Sequence, residues 1–352
     1  MTPRERVLAC LNGHTPDEVP MRDAPLSWAL ERWEKEGMAA GGFPLEFFDN
    51  CIDGTGYDQS LRLPEEVLED DGRARIVRTS DGTIQKVLPD VNSTPHVLDW
   101  TIKTREDWDR VKDRLVPDIE RVPDSTLKWL TEIGEKRHAW SCVVLDGFFG
   151  RAVGMVGIEQ ALEMTVADPE WALDIYTVVT DFNIGMLELV RQAGVRMDGV
   201  YYADDIAFKN GPLVSPRVFR ELMADNLARV CDYVHGFGDH LLYHTDGLMT
   251  ALIPPMIDAG VDIIDPLEVK AGMDLAQLRE QFGRAVVWEG NIDARVLYYG
   301  TKDDIETEVK NKLSVFPDGG YIYRLDGPIT DEASLDNYRW LIDCVKKYGR
   351  YA

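Results

Sequence analysis

Between about residue 138 and the C-terminus the chain alternates short apolar runs with amphipathic stretches of helical period. Val143-Val144-Leu145 reads as a strand that stops at Asp146, and helical patterns follow at 158–166 and 171–193. Val200-Tyr201-Tyr202 stops at Asp204-Asp205, a helix over 216–235 leads to Leu241-Leu242-Tyr243, and 252–259 leads to Val261–Ile264. The pattern 275–282 precedes Ala285–Trp288, 303–313 precedes Tyr321-Ile322-Tyr323, and a helix over 334–347 closes the chain. Strands separated by helices across short connections predict a parallel sheet. About six such units are visible after residue 138, and the first 137 residues can supply two more, which together would close a (β/α)8 barrel. An open doubly wound sheet is the alternative, but no G-x-G-x-x-G or Walker-type loop supports a nucleotide-binding version of it.

The first 137 residues are less regular, and they are read as a decorated part of one barrel domain spanning 1–352. Short helices are expected over 4–11 and 26–35, with a strand-like piece between them after Val19-Pro20, and Thr104 caps another. Residues 76–87, Ile-Val-Arg-Thr-Ser-Asp-Gly-Thr-Ile-Gln-Lys-Val, predict a β-hairpin with an Asp-Gly turn.

Composition narrows the function classes. With 62 acidic against 38 basic residues the formal charge is −24, so a basic face for nucleic acid or for an anionic membrane is not expected. Five scattered cysteines, with no C-x-x-C pair, argue against a disulfide framework and a cysteine-built zinc site. No apolar run approaches the roughly 18–20 residues of a membrane span, and no signal-peptide core follows the N-terminus, so a cytoplasmic location is the expectation.

In parallel α/β proteins ligands bind at the carboxyl ends of the strands, and four successive strand ends here carry acids or histidine. His244 and Asp246 follow Tyr243 two residues apart, and in an extended chain they would face the same side. They suit either a divalent-metal pair or a base with its orienting acid. Asp204 and Asp205 end the preceding strand, where adjacent buried acids are costly unless solvated or paired. They are candidate acid/base or anchoring groups, with Tyr202 beside them. Glu268 and Glu289 are candidates to complete a metal shell. Asn291 and Asp293, and Arg22 and Arg324 as anion clamps, are candidates to hold substrate. Cys51 and Cys142 are weaker pocket candidates.

These motifs, taken together, resemble the uroporphyrinogen decarboxylase superfamily. The resemblance runs through Arg6–Gly13 and Pro16–Pro20, Val200–Asp205 with Gly211–Phe219, His244-Thr245-Asp246-Gly247, Ala259–Asp262, Glu289–Asp293 and Gly319–Tyr323. It implies a (β/α)8 barrel with its site at the C-terminal strand ends. The porphyrinogen-decarboxylating branch carries an Arg-Gln-Ala-Gly-Arg-type motif, where this chain has Met21-Arg22-Asp23-Ala24-Pro25. The closer resemblance is to the corrinoid-dependent methyltransferases, whose thiol-methylating members hold zinc through His-x-Cys and a later cysteine. His244 matches the histidine, Asp246 takes the first cysteine place, and Gly327 takes the later one. The resemblance thus implies a methyltransferase of a demethylase system that acts on a small methylated substrate such as a methyl ether. Its partner would be a separate corrinoid protein and its cofactor a divalent metal, zinc first. A homodimer is a further assembly open to the chain, with nothing in the sequence that fixes it. Decarboxylation of a smaller acid or a tetrapyrrole is the second reading, and a non-catalytic ligand-binding barrel the third.

Overall fold

The computed structural model describes residues 1–43, 47–88, 95–133, 135 and 138–351. Strand β1 (Ile52–Gly56) is followed by a separate antiparallel sheet of β2 (Glu66–Asp70), β3 (Arg75–Arg78), β4 (Ile84–Val87) and β5 (His96–Asp99). Parallel strands then resume with β6 (Trp140–Asp146) and β7 (Gly199–Ala203). A small hairpin, β8 (Ala207–Phe208) and β9 (Gly211–Pro212), intervenes before β10 (His240–His244), β11 (Ile263–Asp265), β12 (Val287–Glu289) and β13 (Tyr321–Ile322). The order β1-β6-β7-β10-β11-β12-β13 is parallel throughout.

An extended segment at Pro20–Arg22 closes this sheet on itself. Tyr323 donates its N–H to the Pro20 carbonyl at 2.9 Å, Arg22 donates to Tyr323 at 3.0 Å, and on the other side Cys51 donates to Met21 at 2.9 Å. The segment therefore serves as the eighth strand, and the fold is the (β/α)8 barrel. Six of its strands come after residue 138 and two from the first part, as the alternation implies. Pro20 has no N–H to give and Arg22 is one residue from a buried acid, so the strand-like piece seen after Val19-Pro20 lacks the apolar run that marks the other barrel strands.

Period-2 alternation sorts the strand residues into two cores. One set, including Cys142, Tyr201, Leu242, Ile263, Val287 and Ile322, fills the inside of the barrel. Its neighbours in sequence, among them Tyr202, Tyr243, Ile264 and Trp288, pack outward against the helices. Strands buried on both faces read as continuous apolar runs, which is why the sequence shows them clearly. The helix Pro3–Leu11, started by a Thr2–Glu5 capping box, brings Val7 and Cys10 against the inner set at the N-terminal end of the barrel. The opposite end, where the strands stop in polar residues, is the mouth.

The expected hairpin is present, with Arg78 opposite Ile84, as the inner pair of the four-stranded sheet. No residue of β2–β5 is buried, which explains why the outer strands lack an apolar signature. Thr104 caps the helix Arg105–Val111 with a capping box to Asp107. The helices Asp124–Glu132 and Phe148–Val156 go beyond the pattern reading. The second carries Gly150 and Gly154, which lower helix propensity, and it forms because Phe148, Phe149, Ala152, Met155 and Val156 are buried against the core. Among the described residues, no helix is long and apolar enough to cross a membrane.

Candidate functional site at the barrel mouth

Strand register fixes what meets at the mouth. His244 ends β10 opposite Asp265, which ends β11. The His244 Nδ1 lies 2.7 Å from Asp265 Oδ2. Asp265 is fully buried and also accepts from the Tyr201 hydroxyl at 3.1 Å and from Arg324. Burial opposes its ionisation, but the Arg324 guanidinium and His244 outweigh burial and hold the carboxyl well below its ordinary range. With Asp265 ionised, Nδ1 carries the imidazole proton and the lone pair of Nε2 faces the mouth. The ring is held in place from below by Tyr201, stacked at 5.4 Å between centroids.

A second ion pair lies beside the first. Arg22 donates to Glu289 Oε1 at 2.8 Å, and its guanidinium sits 4.7 Å over the Tyr201 ring. Arg324 is 3.8 Å from the same glutamate oxygen. Burial dominates at Glu289 and pushes its carboxyl above the ordinary value despite Arg22, and its Oε2 has no hydrogen-bond partner among the described residues. Two arginines and two carboxylates are thus committed to one another in the floor of the mouth.

Above this floor the mouth is acidic. Asp205 Oδ1 stands 3.8 Å from His244 Nε2 and accepts the Asp246 N–H at 3.3 Å. One ligand atom from each of Asp205, His244 and Asp246 lies within 4.8 Å of the others. Asp205 and Asp246 are exposed and His244 is half-buried.

Other residues proposed from the sequence lie elsewhere. Glu268 accepts the Gly247 N–H at 2.8 Å and pairs with Lys270 at 2.9 Å, so it braces the loop after β10 and does not join the trio. Glu289 is likewise held by Arg22. Tyr202 points out of the barrel and accepts the Phe148 N–H at 2.9 Å. Asp204 also turns outward, accepting from Gly150 at 2.7 Å and from the Tyr243 hydroxyl at 2.9 Å, and burial pushes its carboxyl up to about 7. Asn291 donates to the Leu267 and Met273 carbonyls at 2.7 and 2.9 Å and thereby pins the two loops. Asp293 caps the helix Ala294–Tyr299 and pairs with Arg295 at 2.6 Å. Arg22 and Arg324 reach the mouth, yet both are occupied by internal acids. Cys51 and Cys142 lie inside the barrel, where burial pushes the Cys142 thiol up to about 12 and the Cys51 thiol well above its ordinary value.

Tyr201 and Asp265 are the residues that pattern reading passed over. Both have a signal in strand alternation: Tyr201, two residues before Ala203, faces the same side as the inner set, and Asp265 is the register partner of His244.

The zinc set implied by the resemblance is met in part. His244 is present with its second nitrogen oriented, Asp246 supplies oxygen in place of a thiol, and Gly327 supplies no ligand. A Cβ at Gly327 would meet nothing within 4 Å. The donors gathered here, one imidazole and two carboxylates, fit a divalent ion of borderline to hard character.

Comparison with known proteins agrees with the fold. Residues 90–348 match the family model described as uroporphyrinogen decarboxylase (URO-D). A uroporphyrinogen decarboxylase of Vesicomyosocius okutanii is 39% identical over 79 residues, 22% of this chain and 23% of the relative. Those of Mannheimia succiniciproducens and Pelobacter propionicus are 28% and 26% identical over 126 and 143 residues, 35% and 40% of their lengths. The chain therefore aligns with less than half the length of these curated relatives. A solved methyltransferase from Methanosarcina mazei superposes over 99% of both chains with a TM-score of 0.67 at 18% identity, a likeness of fold.

Proposed function

Since the chain belongs to the uroporphyrinogen decarboxylase family, and since its mouth keeps both arginines in internal ion pairs, we propose that it is a methyltransferase. In this reading it moves a methyl group from a small methylated substrate, such as a methyl ether, to a corrinoid carried by a separate protein. The observation that carries the reading is the charge commitment at the mouth. Arg22 is held by Glu289 and Arg324 by Asp265, while Asp205 and Asp246 rim the opening. A tetrapyrrole bearing several carboxylates would meet two arginines already paired with internal acids and two repelling acids at the rim. A neutral or weakly basic methylated substrate meets no such penalty. The end-to-end likeness of fold to a methyltransferase supports the same choice.

The chain's own residues then have distinct tasks. Asp265 fixes the His244 tautomer and Tyr201 fixes its plane, so Nε2 is presented to the substrate side. When the methyl–oxygen bond breaks, the methyl group passes to the corrinoid and the leaving oxygen needs a proton. An alkoxide or phenoxide is a poor leaving group, and a positioned acid contributes about 10²–10⁴-fold. His244 carrying a second proton on Nε2, or water held by Asp205 and Asp246, is placed to supply that proton. A divalent ion bound here would add Lewis-acid polarisation of the methylated oxygen.

The experiment is a methyl-transfer assay with free cob(I)alamin as acceptor and a panel of aryl methyl ethers, methylated thiols and methylamines, run beside a CO2-release assay on small carboxylic acids. Methyl transfer that drops about 100-fold or more in His244→Ala is the expected result. CO2 release without methyl transfer would replace this reading with decarboxylation. Inactivity in both assays, with a ligand still bound equally by His244→Ala, would favour a binding barrel.

A further inference from the structure

Several charges of the mouth are matched in pairs. Asp265 is matched by Arg324, Glu289 by Arg22, and Glu268 by Lys270. Asp205 and Asp246 have no lysine or arginine at ion-pair distance among the described residues, yet they sit side by side, the Asp246 N–H donating to the Asp205 carboxylate at 3.3 Å. Between them stands an imidazole whose Nδ1 is already engaged by a buried carboxylate, so that Nε2 is the nitrogen on the side of Asp205. Two uncompensated negative charges and one oriented lone pair converge on one point.

From this arrangement we infer that Asp205, His244 and Asp246 bind one divalent cation, with Asp205, from the end of β7, as the third protein ligand. The site carries one nitrogen and two oxygens and no sulfur. It deepens the methyl-transfer reading, resting on it only for what the ion is used for. The two carboxylates neutralise the dication, so binding leaves no net charge at the mouth. The Asp265–His244 pair is the arrangement metal-bound histidines usually show, with a carboxylate on the second nitrogen that fixes the tautomer and raises ligand basicity. Around an ion with bonds of roughly 2.0–2.2 Å, ligand atoms stand about 3–3.5 Å apart. The 3.8 Å from His244 Nε2 to Asp205 Oδ1 closes with a small rotation of an exposed aspartate. The remaining positions face the opening, where a substrate oxygen or thiol can enter.

The ligand set also selects the ion. An imidazole with two carboxylates suits Zn²⁺, Co²⁺ or Mn²⁺, whereas thiolate sites favour softer ions. Cys51 and Cys142 are buried inside the barrel, and burial pushes both thiols above their ordinary value.

Metal-stripped full-length protein titrated with Co²⁺, followed by visible absorption and calorimetry, tests this directly. The expected result is one equivalent bound, with ligand-field bands and no thiolate-to-cobalt charge-transfer band. Asp205→Asn and Asp246→Asn should each weaken Co²⁺ at least 10-fold and His244→Ala should abolish binding, while Glu268→Gln, beside the trio but paired with Lys270, should bind as wild type. No Co²⁺ uptake by the wild type, an Asp205→Asn variant with unchanged affinity, or a thiolate band would each overturn the inference. Its failure is separable from that of the functional reading. Asp205-dependent Co²⁺ binding without methyl transfer would sink only the latter, and methyl transfer by a protein that binds no metal would sink only the former.

Discussion

His244 Nδ1 lies 2.7 Å from Asp265 Oδ2, and the same aspartate holds the half-buried Arg324 guanidinium. One carboxylate therefore orients the candidate reactive imidazole and neutralises an arginine inside the barrel. The two roles have different consequences when Asp265 becomes Asn. Removing one member of a buried ion pair leaves the other uncompensated, which typically costs about 3–5 kcal/mol. Urea unfolding of Asp265→Asn should show a loss of that order, together with weaker Co²⁺ binding through the misoriented His244. A variant as stable as the wild type would mean that Arg324 finds solvent or Glu289 as a substitute, and the paired-charge account of the mouth would fall.

Asp23 sets a pH dependence of stability that is independent of the mouth chemistry. It is buried, accepts from the Tyr323 and Tyr338 hydroxyls at 2.9 and 3.0 Å, and burial outweighs those bonds, pushing its carboxyl up to about 7. In the unfolded chain an aspartate titrates near 3.9. The folded state thus holds the proton more tightly. The contribution is fully present below about pH 4 and is lost as pH rises to about 7, at up to about 1.4 kcal/mol per pH unit between those limits. Above about pH 7 it is flat. Asp23→Asn cannot titrate, so subtracting its unfolding free energies from those of the wild type should leave this falling curve. Its amide has a second N–H facing the Leu325 N–H, where Asp23 Oδ1 now accepts at 3.3 Å, so a pH-independent loss of about 1 kcal/mol is also expected. A difference that does not vary with pH would show that Asp23 ionises normally.

How far the sequence could be read follows from where each signal lives. Strands buried on both faces, such as Leu241–Tyr243, announce themselves as apolar runs, and so the six barrel units after residue 138 were legible. The closing segment at Pro20–Arg22 showed only as a strand-like piece after Val19-Pro20, and its place as the eighth strand was not legible, because it is held by three backbone bonds and has little apolar side-chain pattern. At the site, His244 and Asp246 were legible because two polar residues of the same parity end an apolar run. Tyr201 and Asp265 were not, because they look like interior strand residues until the register of β7, β10 and β11 is known. Asn291 and Asp293 were drawn into the substrate set by their place after β12, whereas their side chains serve the loop and the next helix. Position along a strand end identifies the mouth; only the direction of each side chain separates reactive groups from braces.

Two glycines of the candidate motifs should behave oppositely. Gly290 has φ of 120° and a Cβ there would lie 1.7 Å from the Pro266 carbonyl oxygen. Only a residue without Cβ allows the chains after β11 and β12 to approach so closely. Gly290→Ala should therefore lose about 3 kcal/mol or more, or fail to accumulate as folded protein. Gly327, with no atom within 4 Å of its Cβ position, should accept Ala or Cys with a change within about 0.5 kcal/mol. Thermal melts of the purified variants decide both. A destabilised Gly327→Ala would place an unrecognised constraint at the position where zinc-binding relatives carry cysteine.

The adjacent tyrosines of β7 offer the sharpest separation of function from fold. Tyr201 faces the barrel, donates to Asp265 at 3.1 Å and lies under both His244 and Arg22. Tyr202 faces the helices, and its hydroxyl accepts the N–H of Phe148 at the first turn of the helix Phe148–Val156. Tyr202→Phe leaves that buried N–H without its partner, so a stability loss of about 1–3 kcal/mol is expected with Co²⁺ affinity and activity retained in the folded fraction. Tyr201→Phe keeps the ring that stacks on His244 and removes only one of the donors to Asp265. Its fold should be nearly unchanged, while the orientation of the imidazole loosens and methyl transfer or metal affinity falls by up to about 10-fold, the lower end of what outer ligand partners contribute. Stability by urea titration and Co²⁺ binding, measured on both variants, form the test. If Tyr202→Phe lost binding while Tyr201→Phe kept it, the inward face of β7 would not be the face that serves the site.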